Sequence, residues 1–241
     1  MQDLTKPPWR MASLSTCILA ICIAACSSSE DVELGLSAEP GMEMLARLQT
    51  SQGDILVGFF PDHAPEHVRN FLHHCASGFY DETLFHRVAP GFMIQGGDPN
   101  TRDEEAETHG AGGHSYLGPG TTLRAEFNDL HHIRGTVSMA RGRDPHGAGS
   151  QFFIMLEEWT TLDGQYTVFG SVLEGMEAAD QIGSAPGAPI PDAGGFRPNQ
   201  PQVLLICEVI ERPIRDREKP TERDEFLPEA ETDQSENIST D

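Results

Sequence analysis

The chain has 241 residues, of which 38% are hydrophobic, enough to bury the core of one large domain or two small ones. Acidic residues outnumber basic ones 38 to 16, for a formal net charge of −22, which argues against a protein that coats nucleic acid or an anionic membrane face. Five cysteines are too few for a disulfide-dense scaffold.

The first 25 residues are predicted to be a secretory signal. Basic residues precede the apolar run 17–25, which is too short for a membrane span of about 20 residues. Residues 23–26 (IAAC) are similar to a bacterial lipobox, so we expect cleavage before Cys26 and lipid on its sulfur. Cys22 fits this pattern less well. The alternatives are an ordinary cleaved signal or an uncleaved anchor, and Met11 is an alternative start.

Composition divides the mature chain into three parts. Residues 26–42 comprise the lipidated cysteine and a small, polar, acidic segment, which is typical of a flexible tether. Residues 211–241 are acidic with almost no aromatics, which predicts a disordered tail. We therefore expect one folded domain over residues 43–210.

The folded part begins with a predicted hairpin and a helix. Strand-like runs at 44–48 and 55–59 flank Gln52-Gly53-Asp54, a hairpin signal. A helical period follows over 65–77, with Val68, Phe71, Leu72 and Cys75 on one face.

Short strand-like runs and Gly-rich connections dominate the rest of the domain. A second short helix is predicted at 175–182. The remaining strands are predicted at 84–88, 91–95, 135–140, 151–156, 167–173 and 203–210. Many strands with two helices indicate a closed or nearly closed antiparallel barrel, which leaves no open edge to aggregate.

Two cysteines remain once the leader and the lipidated residue are set aside. Cys75 lies in the helical pattern and Cys207 in an apolar strand pattern. They could form a bridge in an oxidising compartment, but these patterns favour two separate buried thiols.

Three segments carry candidate chemistry. They are 85–98 (FHRVAPGFMIQGGD), 135–141 (GTVSMAR) with 149–154 (GSQFFI), and 162–170 (LDGQYTVFG). They supply a guanidinium, amides and apolar side chains, but no nucleophile elbow. The run 110–113 lacks the strand–turn–helix context and lysine of a phosphate loop. This inventory suits binding an uncharged peptide and polarising an amide rather than hydrolysis.

The order, content and separation of these segments closely resemble the cyclophilin family of peptidyl-prolyl isomerases, over about residues 44–210. The resemblance implies a mainly β fold, a closed eight-stranded antiparallel barrel capped by two α-helices. It also implies cis–trans exchange at X–Pro bonds with no metal, nucleotide or redox cofactor. By motif match, Arg87 is the catalytic arginine, and Gln95 contacts the substrate backbone and helps orient Arg87. The expected substrate-binding residues are Phe92, Met93, Ala140, Gln151, Phe153, Leu162 and Tyr166, with Ala140 and Gln151 lining the groove for the residues that precede proline.

Two positions depart from the family pattern. Arg141 stands where many members carry Asn, which is expected to alter preference for the residues before proline. Thr161 stands where cyclosporin-sensitive members carry Trp, and Trp159 two places earlier is not expected to replace it. Cyclosporin binding is therefore in question, although catalysis is not.

The ten histidines raise a metal hypothesis that their spacing does not favour. Adjacent pairs, such as His73-His74 and His131-His132, are expected to point in diverging directions, so solvated side chains are preferred to a zinc site. His86 is expected to alternate away from the groove and to be structural.

Together these features predict a monomeric, lipid-anchored isomerase of the bacterial cell envelope, in the outer rather than the inner membrane. Its partners would be unfolded or flexible proline-containing polypeptides. It would bind no nucleic acid and would touch the membrane only through the lipid. The alternatives are a proline-peptide holdase that turns over slowly, and a scaffold whose acidic tail recruits basic partners.

Overall fold

The computed structural model describes residue 36 and residues 38–103, 105–191 and 193–214. The predicted leader, Cys26, most of the tether and most of the acidic tail lie outside these residues. None of the described helices is long and apolar enough to cross a membrane.

The domain begins with the predicted hairpin. Strand β1 (Met42–Thr50) turns back into β2 (Gly53–Phe59), with Leu48 paired to Ile55. Both side chains are fully buried, because alternate residues of each strand face the core.

The last strand, β11 (Val203–Pro213), pairs antiparallel with the other edge of β1. Its register runs from Met42 opposite Pro213 to Thr50 opposite Leu204, with a bulge near the latter end. Residues 211–213, assigned to the tail from their charge, are therefore part of the sheet. Backbone pairing along β1 holds them there, although Glu211 and Pro213 are exposed.

Helix α1 (Pro65–Ala76) packs on the sheet through the predicted apolar face. Pro65 occupies the first turn, where its missing N–H leaves no hydrogen bond unmade. Phe71 lies at the centre of an aromatic cluster, 5.0 Å from the ring of Tyr80 and 5.0 Å from that of Phe152. The second helix, α2 (Met176–Gly183), buries Ala179 and Ile182.

The expected mainly β fold with two helices and an antiparallel sheet is confirmed. The described sheet has eleven strands and is not closed, so the expected closure is wrong and the expected count of eight strands is not confirmed. The other strands are β3 (Thr83–Leu84), β4 (Arg87–Ala89), β5 (Met93–Gly96), β6 (Thr136–Met139), β7 (Phe152–Met155), β8 (Val168–Glu174), β9 (Gly187–Pro189) and β10 (Phe196–Pro198). Their order is β3-β11-β1-β2-β8-β6-β7-β5-β4-β10-β9, so β3 and β9 are the two ends.

The extra strands have two origins. The run 84–88, predicted as one strand, is split: Leu84 pairs with β11, whereas Arg87 pairs with β5. In addition, β9 and β10 form a hairpin with each other, and Phe196 of β10 pairs with Val88 of β4. The pairings of Leu84 with β11 and of Phe196 with β4 join strands that are distant in sequence, and local alternation does not reveal them.

Cys75 and Cys207 form a disulfide, so the expectation of two separate thiols is wrong. Packing of α1 against β11 brings their Cα atoms to 4.9 Å across a sequence separation of 132 residues. A bridge that closes so long a loop typically adds about 2–4 kcal/mol to the free energy of unfolding.

Candidate active site

A tight hairpin between β4 and β5 places the predicted catalytic pair side by side. Arg87 and Gln95 are directly opposed in the strand register, so their side chains leave the same face. The connection turns at Gly91, whose φ of 68° is a left-handed conformation that favours glycine. The Nη1 of Arg87 donates a hydrogen bond to Oε1 of Gln95 at 3.0 Å.

The guanidinium of Arg87 is held along two of its edges. Its Nε donates to the carbonyl of Gly194 at 2.8 Å, while Nη1 is held by Gln95 and lies 3.9 Å from Sδ of Met93. No hydrogen bond from Nη2 is found among the described residues. Partial burial lowers the pKa of Arg87 below its ordinary value, with Tyr166 acting in the opposite direction. Arginine nevertheless stays protonated at any relevant pH, so it presents a fixed positive charge.

Gly194 reaches Arg87 because the β9–β10 hairpin lies against β4. Gly195 has a φ of 88°, and a Cβ there would stand 2.6 Å from the carbonyl oxygen of Val88. Only glycine allows this close approach. Sequence reasoning missed the contribution of Gly194, because a backbone carbonyl leaves no residue-type signal.

A cavity of about 120 Å³ with four apolar side chains in its wall opens beside Arg87, and we refer to it as the slot. It is lined by Arg87, Phe92, Met93, Phe153, Leu162 and Tyr166. The structure thus brings six of the nine predicted catalytic and binding residues around one cavity. They come from β4, β5, β7 and the segment before β8, which pair or pack as neighbours.

A second cavity of about 320 Å³ lies beyond Gln95, and we refer to it as the trench. It is lined by Gln95, Gly110, Ala111, Gly112, Gly113, Thr122, Ala140, Arg141, Gly142, Gly147, Gly149, Ser150 and Gln151. The other three predicted residues, Gln95, Ala140 and Gln151, are therefore trench residues. The side-chain amide of Gln95 donates to Oε1 of Gln151 at 2.9 Å, which links the wall of the trench to Arg87.

The glycine-rich run 110–113 is fixed by a buried carboxylate and serves as a trench wall. Asp98 is fully buried and accepts hydrogen bonds from the backbone N–H of Gly110 and Gly112. Gln151 in turn donates to the carbonyl oxygens of the same two glycines, at 3.0 and 2.8 Å. A Cβ on Gly112 would collide with Asp98. These glycines therefore permit close packing of the wall.

Behind the slot lies a polar cluster that sequence reasoning missed. His132 is fully buried and stacks on Phe153, with ring centroids 6.0 Å apart. Its Nδ1 donates to Asp163 at 2.9 Å, and Nδ1 of His131 lies 2.8 Å from the other oxygen of that carboxylate. Burial lowers the pKa of His132, against the opposing effect of Asp163. The adjacent histidines therefore converge on one acceptor, because the backbone before β6 is not a regular strand.

Several other histidines expected in solvent are also buried. His67 is fully buried against Glu126, and His74 is buried with its Nε2 3.0 Å from the carbonyl oxygen of His114. His86 is 5% exposed, consistent with a structural role. Burial lowers the pKa of His74 and of His86 to about 4 in each case. The rings of His74 and His86 are therefore neutral at neutral pH.

Arg141 forms part of the boundary between the two cavities. Its guanidinium lies 4.5 Å from the centroid of the Tyr166 ring and donates to the carbonyl oxygens of Gly142 and Gln165. Tyr166 lines the slot while Arg141 lines the trench. The substitution of Arg for Asn therefore places a cation at the trench wall.

Comparison with known proteins gives a consistent result. Residues 45–209 match the family model described as "Cyclophilin type peptidyl-prolyl cis-trans isomerase/CLD". A probable peptidyl-prolyl cis-trans isomerase of Brucella abortus (strain 2308) is 38% identical over 177 residues, covering 72% of this chain and 84% of that protein. Peptidyl-prolyl cis-trans isomerase B of Escherichia coli (strain K12) is 37% identical over 149 residues, covering 57% and 83%.

Solved structures agree with the sequence comparisons. A crystal structure of a Cryptosporidium parvum cyclophilin type peptidyl-prolyl cis-trans isomerase is similar with a TM-score of 0.62 and 30% identity, covering 71% of this chain and 99% of that one. A second structure of that protein, in the presence of the dipeptide Ala-Pro, has a TM-score of 0.59 at 31% identity, covering 68% and 96%.

Proposed function

The chain belongs to the cyclophilin-type peptidyl-prolyl cis–trans isomerase family, and from that premise we propose how its site lowers the barrier to rotation. The slot holds the proline ring, and Arg87 stabilises the twisted amide electrostatically, with no covalent intermediate. The fixed guanidinium beside a slot walled by Phe92, Met93, Phe153 and Leu162 carries this proposal. The Ala-Pro dipeptide present with a structural neighbour supports a proline-containing ligand.

The chemistry to be catalysed is rotation about a partial double bond. Amide resonance imposes a barrier of about 18–20 kcal/mol, and uncatalysed X–Pro exchange takes on the order of tens to hundreds of seconds. At the twisted midpoint the proline nitrogen loses conjugation and gains a basic lone pair. A donor aimed at that lone pair acts mainly in the transition state, which is what lowers a barrier.

Arg87 supplies such a donor with little freedom left to lose. Gly194 and Gln95 hold Nε and Nη1, and Nη2 remains to face the substrate. Preorganised donors are effective because they need no reorganisation during the reaction. Lowering the barrier by about 7 kcal/mol would accelerate exchange by about five powers of ten.

A covalent route through the Ser138–His132–Asp163 cluster does not fit this site. Nε2 of His132 lies 3.1 Å from Oγ of Ser138, which is superficially similar to a hydrolytic triad. However, Ser138 is fully buried and its hydroxyl donates to the carbonyl of Thr167. A substrate carbonyl cannot reach it, so we assign the cluster to supporting Phe153.

The mechanism is tested with Arg87→Ala in a proline-peptide exchange assay on the full chain. We expect kcat/KM to fall by two to three powers of ten, the range typical of removing one oxyanion-type donor. Arg47→Ala is the matched control, because Arg47 is an exposed cation on β1 that pairs with Glu208. A rate for Arg87→Ala near that of the control would reject the mechanism. An aggregation assay in parallel separates turnover from holdase activity, since a holdase would keep its client protection in Arg87→Ala.

We also propose that the protein acts in the bacterial cell envelope, attached by lipid on Cys26, and assists the folding of envelope proteins. The lipobox-like sequence supports this, as does the Cys75–Cys207 bridge, because disulfides persist in oxidising compartments. Mass spectrometry of the mature amino terminus tests it. A diacylglycerol adduct on Cys26 is expected, and a native Met1 or an unmodified Cys26 would refute the anchor.

A further inference from the structure

Trp159 lies at the rim of the slot, on the side away from the trench. Its ring centroid is 4.6 Å from that of Phe92, which lines the slot, and the two rings are tilted by 49°. Trp159 itself is 43% exposed. The slot therefore continues outward into an exposed aromatic surface formed by Phe92 and Trp159.

The indole is fixed in place rather than free to turn. Its Nε1 donates to the carbonyl of Gly91 at 3.1 Å, and its backbone N–H donates to the carbonyl of His132 at 2.8 Å. Its own carbonyl accepts from Leu162, another slot residue, at 3.1 Å. Because its only polar side-chain atom is directed at the protein, the exposed part of the ring is carbon. A rigid aromatic surface binds an apolar side chain with little loss of conformational entropy.

The geometry also indicates which part of a peptide would meet this ring. Phe92 immediately precedes β5 and Gln95 lies near its other end, so Trp159 and the trench flank the slot from opposite sides. The family resemblance places the residues before proline along Ala140 and Gln151. The residue after proline would then leave the slot toward Trp159.

We propose that Trp159 is a substrate-binding residue that selects an apolar, above all aromatic, side chain immediately after proline. This inference rests on the proposed function and deepens it by naming a substrate class. Trp159 provides the aromatic surface from outside the turn Thr160–Leu162, whereas Thr161 within that turn presents no aromatic ring.

The test compares two peptides that differ only after proline, Ala-Pro-Phe and Ala-Pro-Gly with identical flanks, in an exchange assay on the full chain. We expect the native chain to favour the Phe peptide by at least fivefold in kcat/KM. Trp159→Ala should lower kcat/KM for the Phe peptide five- to tenfold and leave the Gly peptide within twofold. Trp159→Phe should recover part of the preference.

Phe127→Ala is the matched control, because Phe127 is 44% exposed and lines neither cavity. This variant should leave kcat/KM unchanged for both peptides. Two results for Trp159→Ala would overturn the inference. One is an equal loss of kcat/KM for both peptides, which would indicate only that Trp159 supports Phe92 structurally. The other is an unchanged preference for the Phe peptide.

A binding measurement separates this inference from the proposed function. The chain has two tryptophans, so Trp9→Phe leaves Trp159 as the single tryptophan, which can be excited apart from the tyrosines. Titration with the Phe peptide should shift its emission, with at least fivefold tighter binding than the Gly peptide. If no peptide is isomerised yet this shift occurs, the mechanism fails and the inference stands. Equal binding of both peptides overturns the inference whatever the turnover.

Discussion

The slot and the trench adjoin at Gln95 but are lined by different chemistry. Large side chains line the slot, and two of them, Met93 and Phe153, are almost completely buried. Glycine and alanine line most of the trench, which is more than twice as large. A cavity shaped by large side chains selects a ligand ring of one size. A cavity lined mainly by backbone contacts the backbone of the bound peptide and tolerates varied peptide side chains. Under the proposed function, we expect the slot to select proline and the trench to accommodate the flanking chain with little selectivity.

Among the substitutions that test this comparison of the two cavities, removing the floor of the slot should have the largest effect. Phe153→Ala is expected to lower kcat/KM about a hundredfold and the free energy of unfolding by about 3–5 kcal/mol, because it leaves a cavity beside His132. Phe169→Ala is the matched control, since Phe169 is a fully buried core ring that lines neither cavity. Denaturation and peptide exchange measured together should show equal destabilisation but near-native activity for the control. An equal loss of activity in Phe153→Ala and Phe169→Ala would contradict a specific role of the slot in catalysis.

Acid should weaken the support of the trench wall through His86. This ring packs beneath Gly110, and burial lowers its pKa from 6.5 to about 4. The unfolded chain then binds more protons between these values, so stability is complete above pH 6.5 and is lost as the pH falls toward 4. One such histidine lowers the free energy of unfolding by about 2 kcal/mol at pH 5 relative to neutral pH.

Urea denaturation at pH 7 and pH 5 checks this prediction. His86→Leu should reduce the difference between the two pH values by about 2 kcal/mol. Phe85→Leu, at a buried ring that carries no titratable group, should leave the difference nearly unchanged. An unaltered pH dependence in His86→Leu would show that the ring does not titrate as proposed.

Cutting the link between the two cavities should have an intermediate effect. Gln95→Ala removes the hydrogen bonds to Arg87 and Gln151, so the guanidinium is held on one edge only. We expect kcat to fall about tenfold with a smaller change in KM, since orientation in the transition state is lost. Gln52→Ala is a suitable control, because it breaks a similar amide pair, with Gln202, outside both cavities. A change in KM alone would indicate that Gln95 only binds.

The smallest effect is expected at the trench wall. Arg141→Gln removes a cation, so the preference for Glu-Pro over Lys-Pro peptides should fall about threefold at low salt, and less at high salt because ions screen the charge. Arg143→Gln, at an exposed neighbour outside the trench lining, should change the ratio less. The preference for Glu-Pro over Lys-Pro peptides is measured kinetically at two salt concentrations. An equal change of this preference in Arg141→Gln and Arg143→Gln would contradict the prediction.

Local sequence was sufficient for the β1–β2 hairpin and both helices, whereas the motif match named the proposed catalytic residues. Arg87 and Gln95 are eight positions apart around a tight turn, and strand geometry alone then brings their side chains together. The motif match likewise named all six slot residues. Their convergence follows from the strand order, which the family resemblance implied and periodicity did not.

What the sequence by itself determined was therefore the first hairpin, both helices, most of the strands and the chemistry along each one, because these depend on residue type and short-range spacing. Tertiary structure alone decided the Cys75–Cys207 bridge, the Gly194 carbonyl on Arg87 and the histidine pair on Asp163. Each of these joins segments that meet only when strands pair and helices pack. Burial of the whole core supplies the free energy that brings them together. Neither segment therefore shows a periodic sequence pattern that would predict the contact.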